Sequence, residues 1–222
     1  MNHATRVTVA TLGVIFGLSG MTHGFFETLQ VNTPTDGLFI AAIGEAHRFW
    51  AHGSEYAFTL IPSFLVTGLL AMAVGLAVII WSVGFVHRKH GSLILLLLFI
   101  LLFLVGGGVA QVLFFILICA AATRINSSLT WWRRVLPEGV RRVLARLWPW
   151  SLTVGSLLML ITLAIAIFGF VPGVNDPDQV LAIMLSSLGA GLGVILLTFV
   201  AGFSHDIETD QERSLDEMSS HS

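Results

Sequence analysis

The chain is 222 residues long, 55% hydrophobic and only 11% charged, with a formal net charge of -2 at pH 7; a soluble domain carries roughly a quarter charged residues. With a mean hydropathy of +0.88, this excludes an ordinary soluble protein and a disordered chain. Thirteen acidic residues against eleven basic ones exclude a nucleic-acid module, and the lone Cys119 excludes a disulfide framework.

What remains is an all-α polytopic integral membrane protein. A helix needs about 20 mostly apolar residues to cross the hydrocarbon core, and five stretches qualify. The first, residues 6–30, places Thr8, Thr11, Ser19, His23, Glu27 and Gln30 on or near one strip at 100° per residue, and Gly13, Gly17, Gly20 and Gly24 on another. Arg6 followed by the apolar run from Val7 to Leu18 also suits a signal peptide. No clean small-residue cleavage site follows, and the apolar character continues through Phe25 and Phe26.

The second stretch is residues 57–86. If its helix begins before the membrane, Glu45, Arg48, His52, Glu55, Thr59, Ser63 and Thr67 fall within an arc of about 120°, a polar stripe that Pro62 could open further. Residues 93–123 form the third, where Gly106, Gly107 and Gly108 suggest a kink or close crossing just before Gln111. The connection that follows holds six arginines, Arg124, Arg133, Arg134, Arg141, Arg142 and Arg146. Within it residues 137–148 read as an amphipathic helix lying in the membrane interface, bracketed by Trp131, Trp132, Trp148 and Trp150. Arg133, Arg134, Arg141, Arg142 and Arg146, with Trp131, Trp132 and Trp148, are therefore candidate lipid-interface residues suited to anionic lipid. Residues 151–171 and 180–203 are the fourth and fifth spans. Gly189 and Gly193 in the last have the spacing that lets helices approach closely, within the chain or in a homo- or hetero-oligomer. Residues 206–222 are acidic and suit a solvated, disordered tail.

Lys and Arg concentrate in cytoplasmic loops. Five alternating spans with the amino terminus outside and the carboxy terminus in the cytoplasm put eight basic residues inside and three outside, consistent with a plasma (inner) membrane protein. The same alternation carries His23, Glu27, Glu45, His47, His52, Glu55, His205 and Asp206 to one face, the cytoplasmic one.

Ionisable groups in a membrane are costly and tend to mark sites. His23, Glu27, Arg48, His52, Glu55, Thr59, Ser63 and Gln111 are candidates for a proton or ion relay. His23, Glu27, His52, Glu55, His205 and Asp206 carry the imidazole and carboxylate donors for one divalent metal. No phosphate-binding loop, nucleophile elbow or HExxH motif is present, and no catalytic residue stands out. The leading expectation is a transport or transport-accessory role for protons, ions or a small solute. The alternatives are a non-catalytic interaction or regulatory protein that binds partner helices and anionic lipid, and a membrane metalloenzyme.

Overall fold

A computed structural model describes residues 1–220. The chain is mostly helical, 72%, and among the described residues four helices are long and apolar enough to cross a membrane. These are α1 (His3–Thr28), α2 (Phe64–Gly84), α6 (Glu138–Phe168) and α7 (Pro177–Ser220). Between α2 and α6 lie two shorter apolar helices, α3 (Gly91–Leu104) and α4 (Val112–Ala122), and the short α5 (Thr130–Val135). Three strands, β1 (Phe39–Ala41), β2 (Tyr56–Thr59) and β3 (Val105–Gly108), form an antiparallel sheet in the order β1-β2-β3.

Helix α1 is the central element. Its apolar window is 61% buried, against 17–33% for the other three long helices. Packing in lipid gains little from the hydrophobic effect and depends on close contact, which its glycines supply. A Cβ at Gly24 would stand 2.5 Å from the Gly68 carbonyl and 2.9 Å from the Met72 amide; Gly17 and Gly75 face each other in the same way. The glycine strip of α1 is thus consumed by packing within the chain, Gly13, Gly17 and Gly24 on α2 and Gly20 on Leu102 of α3. Gly189 and Gly193 of α7, by contrast, have no neighbour.

The third apolar stretch is not one continuous helix. Helix α3 starts beside the end of α2, where Trp81 Nε1 donates to Gly91 O, and climbs to Leu104, whose carbonyl accepts from Leu60 N. After β3, α4 returns to where α3 began, since Asn126 Nδ2 donates to His87 O and Asn2 N donates to Ile125 O. The two half-length helices pack as a hairpin through Phe99 and Phe115, stacked at 4.1 Å, and meet α1 through Phe16 and Phe114 at 4.7 Å. The break at residues 105–111 replaces the expected continuous third span. Non-helical backbone is tolerated at such depth only where its polar groups are paired. Here β2 pairs with β3 (Ala57 with Gly108, Thr59 with Val105), and Thr67 Oγ1 donates to Val105 O.

Ala4 and the carboxylate of Asp206 meet at one end of the bundle, together with the 123–130 loop, which we call the basic end. Residues 4 and 206, which the five alternating spans put on opposite faces, thus lie together at one end. Every Lys and Arg except Arg48 lies at the basic end or on the helix ends that reach it. The sheet, Arg48, His23, Glu27, Glu45, His47, His52 and Glu55 lie towards the other, the sheet end.

Two further expectations change. Residues 137–148 are not a separate interfacial helix but the start of α6, which runs through Pro149 without a break. Arg141 there is buried and ion-pairs with Glu208 while donating to Gln211 Oε1 at 3.1 Å, and Arg142 reaches Glu138 and Glu208. Of the acidic segment 206–222, expected to be solvated and disordered, residues 206–220 continue α7 as helix, with 212–220 exposed, and supply the Glu208 carboxylate; residues 221 and 222 lie outside the described ones. The charges of the connection and of the tail are partly consumed by each other.

Candidate functional site

Ser19, His23 and Glu27 recur at every fourth position of α1, so they form one buried file facing the break between α3 and α4. At its inner end Gln111 Nε2 donates to Ser19 Oγ at 2.8 Å. In the middle, His23 Nε2 lies 2.8 Å from Glu55 Oε2. At the top Glu27 is 0% exposed, and neither of its carboxylate oxygens has a hydrogen-bond partner. His23 Nδ1 and Gln111 Oε1 are likewise buried and unpartnered. Buried polar groups are nearly always paired, so several orphan atoms around one short backbone break mark this region as more than a packing interface.

The glycines of β3 make room for the file. Gly106 has φ +110°, a conformation that side-chain-bearing residues rarely adopt, and a Cβ there would collide with the Glu27 carboxylate. At Gly108 a Cβ would sit 2.8 Å from the His23 ring and 2.9 Å from Gln111 Nε2. The backbone therefore approaches the Glu27, His23 and Gln111 side chains more closely than any other residue type would permit.

Glu55 connects this interior to the surface. It precedes β2, its side chain is 38% exposed, and it lies in a cleft between α1 and α6 that Leu163 and Ala166 line from the α6 side. Burial pushes its carboxyl up, but the hydrogen bond and the charge of His23 together outweigh this and hold it below the ordinary carboxylate value.

The other candidates serve local structure. Residues 45–63 do not extend α2, so the polar arc expected for a continuous helix is absent. Arg48 pairs with Glu45 at 3.6 Å, and His52 meets Asp178 of α7 at 2.9 Å. Ser63 caps α2, accepting from Val66 N, and donates to Asn32 Oδ1. Thr59 and Thr67 share a 2.7 Å hydrogen bond under the start of β3. His205 and Asp206 stand at the opposite end from His23: His205 packs on Trp148, and Asp206 accepts from Ala4 N, Thr5 N and Thr5 Oγ1. The six residues grouped as a metal set are thus split between the two ends. Among the described residues no three His, Cys, Asp or Glu side chains come close enough to share an ion. Of the interface residues, Trp131 is exposed, whereas Trp148 donates to Thr8 Oγ1 and packs inside.

Sequence spacing found His23, Glu27 and Gln111, but it placed Glu55 on the wrong element. The glycine run before Gln111 carried the missing signal, because three consecutive glycines weaken a helix and mark a break in it. Compared with protein-family profiles, with curated proteins and with solved structures, the chain matches none.

Proposed function

We propose that the protein takes up protons, or a small cation, from the sheet end through Glu55 and His23 and delivers them to Glu27, in a transport or transport-accessory role. The observation that carries this reading is the fully buried, unpartnered Glu27 carboxylate beside an extended break in a membrane-embedded hairpin. An isolated charge in such a place is costly, and a proton or a cation is what neutralises it. Imidazole can accept a proton on one ring nitrogen and release one from the other, and His23 offers Nε2 to Glu55 with Nδ1 unpartnered. Below Ser19 and Gln111 the file meets Phe16, Phe114 and Phe115. Passage further therefore requires those aromatics to move.

The distribution of basic residues supports an orientation with the basic end in the cytoplasm, because only Arg48 would then lie outside. Both chain ends would be cytoplasmic and Glu55 would face the exterior. The interaction reading keeps one supporting observation, the open Gly189 and Gly193 face of α7.

Purified protein in liposomes carrying an internal pH dye is expected to conduct protons down an imposed gradient, and His23→Ala is expected to reduce the rate. A flux equal to that of protein-free liposomes overturns the proposal.

The Glu55 contact predicts a pH dependence of stability. Because the folded carboxyl titrates below its unfolded value of about 4.3, the contact contributes above that value and its contribution is lost as pH falls through the lowered one. Thermal unfolding in detergent is expected to show a destabilisation on acidification to about pH 3 that is smaller in Glu55→Gln.

A further inference from the structure

A groove of about 570 Å³ lies away from the Glu27 file, at the basic end. One wall is α4, through Leu117 and Ala120, and the other is α7, through Leu196 and Phe199. Helix α4 is only 11 residues long because the α3–α4 segment turns back, so it leaves this face of α7 uncovered. Trp132 closes the bottom of the gap by packing on Phe203 at 5.1 Å, and Trp131 stands exposed at the rim. The walls are apolar, and the mouth carries Arg124 and Ser128.

Arg124 decides what fits. Its side chain is exposed, and among the described residues it forms no ion pair, unlike Arg141 and Arg142 of the same basic end. A guanidinium binds phosphate in a planar, two-pronged geometry, and indoles at the rim suit headgroup depth. Arg133 and Arg134 on α5 add positive charge beside the mouth. An apolar trench the height of about two helical turns, ending in an unpaired guanidinium, is complementary to a molecule with an acyl chain below an anionic phosphate.

We propose that this groove between α4 and α7 binds one anionic phospholipid from the leaflet at the basic end, with Arg124 on its phosphate and an acyl chain between Ala120 and Phe199. The site is independent of the Glu27 reading and would stand if that reading failed. It also differs from a diffuse basic interface, because it assigns one lipid per chain and one arginine to the headgroup.

Native mass spectrometry of delipidated protein, titrated with phosphatidylglycerol or phosphatidylcholine of identical chains, tests the assignment. One phosphatidylglycerol per chain is expected, bound about fivefold more tightly than phosphatidylcholine, whose phosphate is offset by its own choline cation and so gains less from Arg124. Arg124→Gln should bring the two affinities together, and Ala120→Phe, at an exposed wall position, should weaken both by filling the trench. Equal affinities in the unmodified protein, a preference untouched by Arg124→Gln, or binding untouched by Ala120→Phe would each overturn the proposal. So would displacement of the lipid by millimolar inorganic phosphate. If Ala120→Phe instead abolishes a dimer while lipid binding is weak and non-selective, the groove belongs to a second copy of the chain and the lipid proposal falls.

Discussion

A Glu27→Gln protein is expected to be at least as stable as the unmodified one and to lose proton flux almost completely. Both oxygens of Glu27 are buried without partners among the described residues, so the amide gives up no hydrogen bond and removes a carboxylate whose desolvation is costly. A carboxyl that merely supported packing would behave in the opposite way, its removal lowering stability and leaving any flux in proportion to folded protein. The amide has nearly the same shape and does not titrate near neutral pH, so a flux drop of about 100-fold or more, the scale of losing a positioned acid or base, separates chemistry from structure. Flux and thermal midpoint measured on the same preparation decide between the two. Unchanged flux in Glu27→Gln would remove Glu27 from the path.

The second large effect is expected at the other end of the molecule. Asp206→Ala should destabilise the fold by about 2–3 kcal/mol, the combined scale of a lost helix cap and charged hydrogen bonds. Helix α1 has no cap of its own, since the Asn2 side chain makes no capping bond and instead reaches the carbonyls of Arg124 and Ser127. The first free amides of α1 are satisfied by Asp206, through Ala4 N at 2.8 Å and Thr5 N at 2.9 Å, and its negative charge sits at the positive end of the helix dipole. Asp206→Asn retains an acceptor and should lose less than half as much. Thermal unfolding in detergent at neutral pH measures both, and an Asp206→Ala midpoint equal to that of the unmodified protein would rule the cap out.

Much of the framework was legible from residue order. Helix α1 was readable because one uninterrupted apolar run carries both a polar and a glycine strip, and α2, α6 and α7 follow from the same length argument. The reversal between α3 and α4 was not, because hydropathy records how apolar a segment is and not which way it runs. Its traces are indirect. The stretch from 93 to 123 is long enough for two half-length helices, and folding it back raises the basic asymmetry from eight against three to all but Arg48. His23 and Glu27 were legible from their i, i+4 spacing, whereas His205 and Asp206 were assigned to the wrong end by counting crossings. The burial of Arg141 could not be read at all, since its partner Glu208 lies 67 positions away.

The bond between Ala4 and Asp206 joins positions 202 apart, and this has a consequence for assembly. The central helix, α1, is made before its cap, which belongs to α7. At a synthesis rate of about 5–20 residues per second, roughly 10–40 s separate the two. Through that interval α1 would sit in the membrane with its amino-terminal amides unpaired and its His23 and Glu27 face waiting for the hairpin. The nascent chain is therefore most exposed to degradation or wrong partners before residue 206 emerges, and truncations that end short of it should accumulate far less than the full chain.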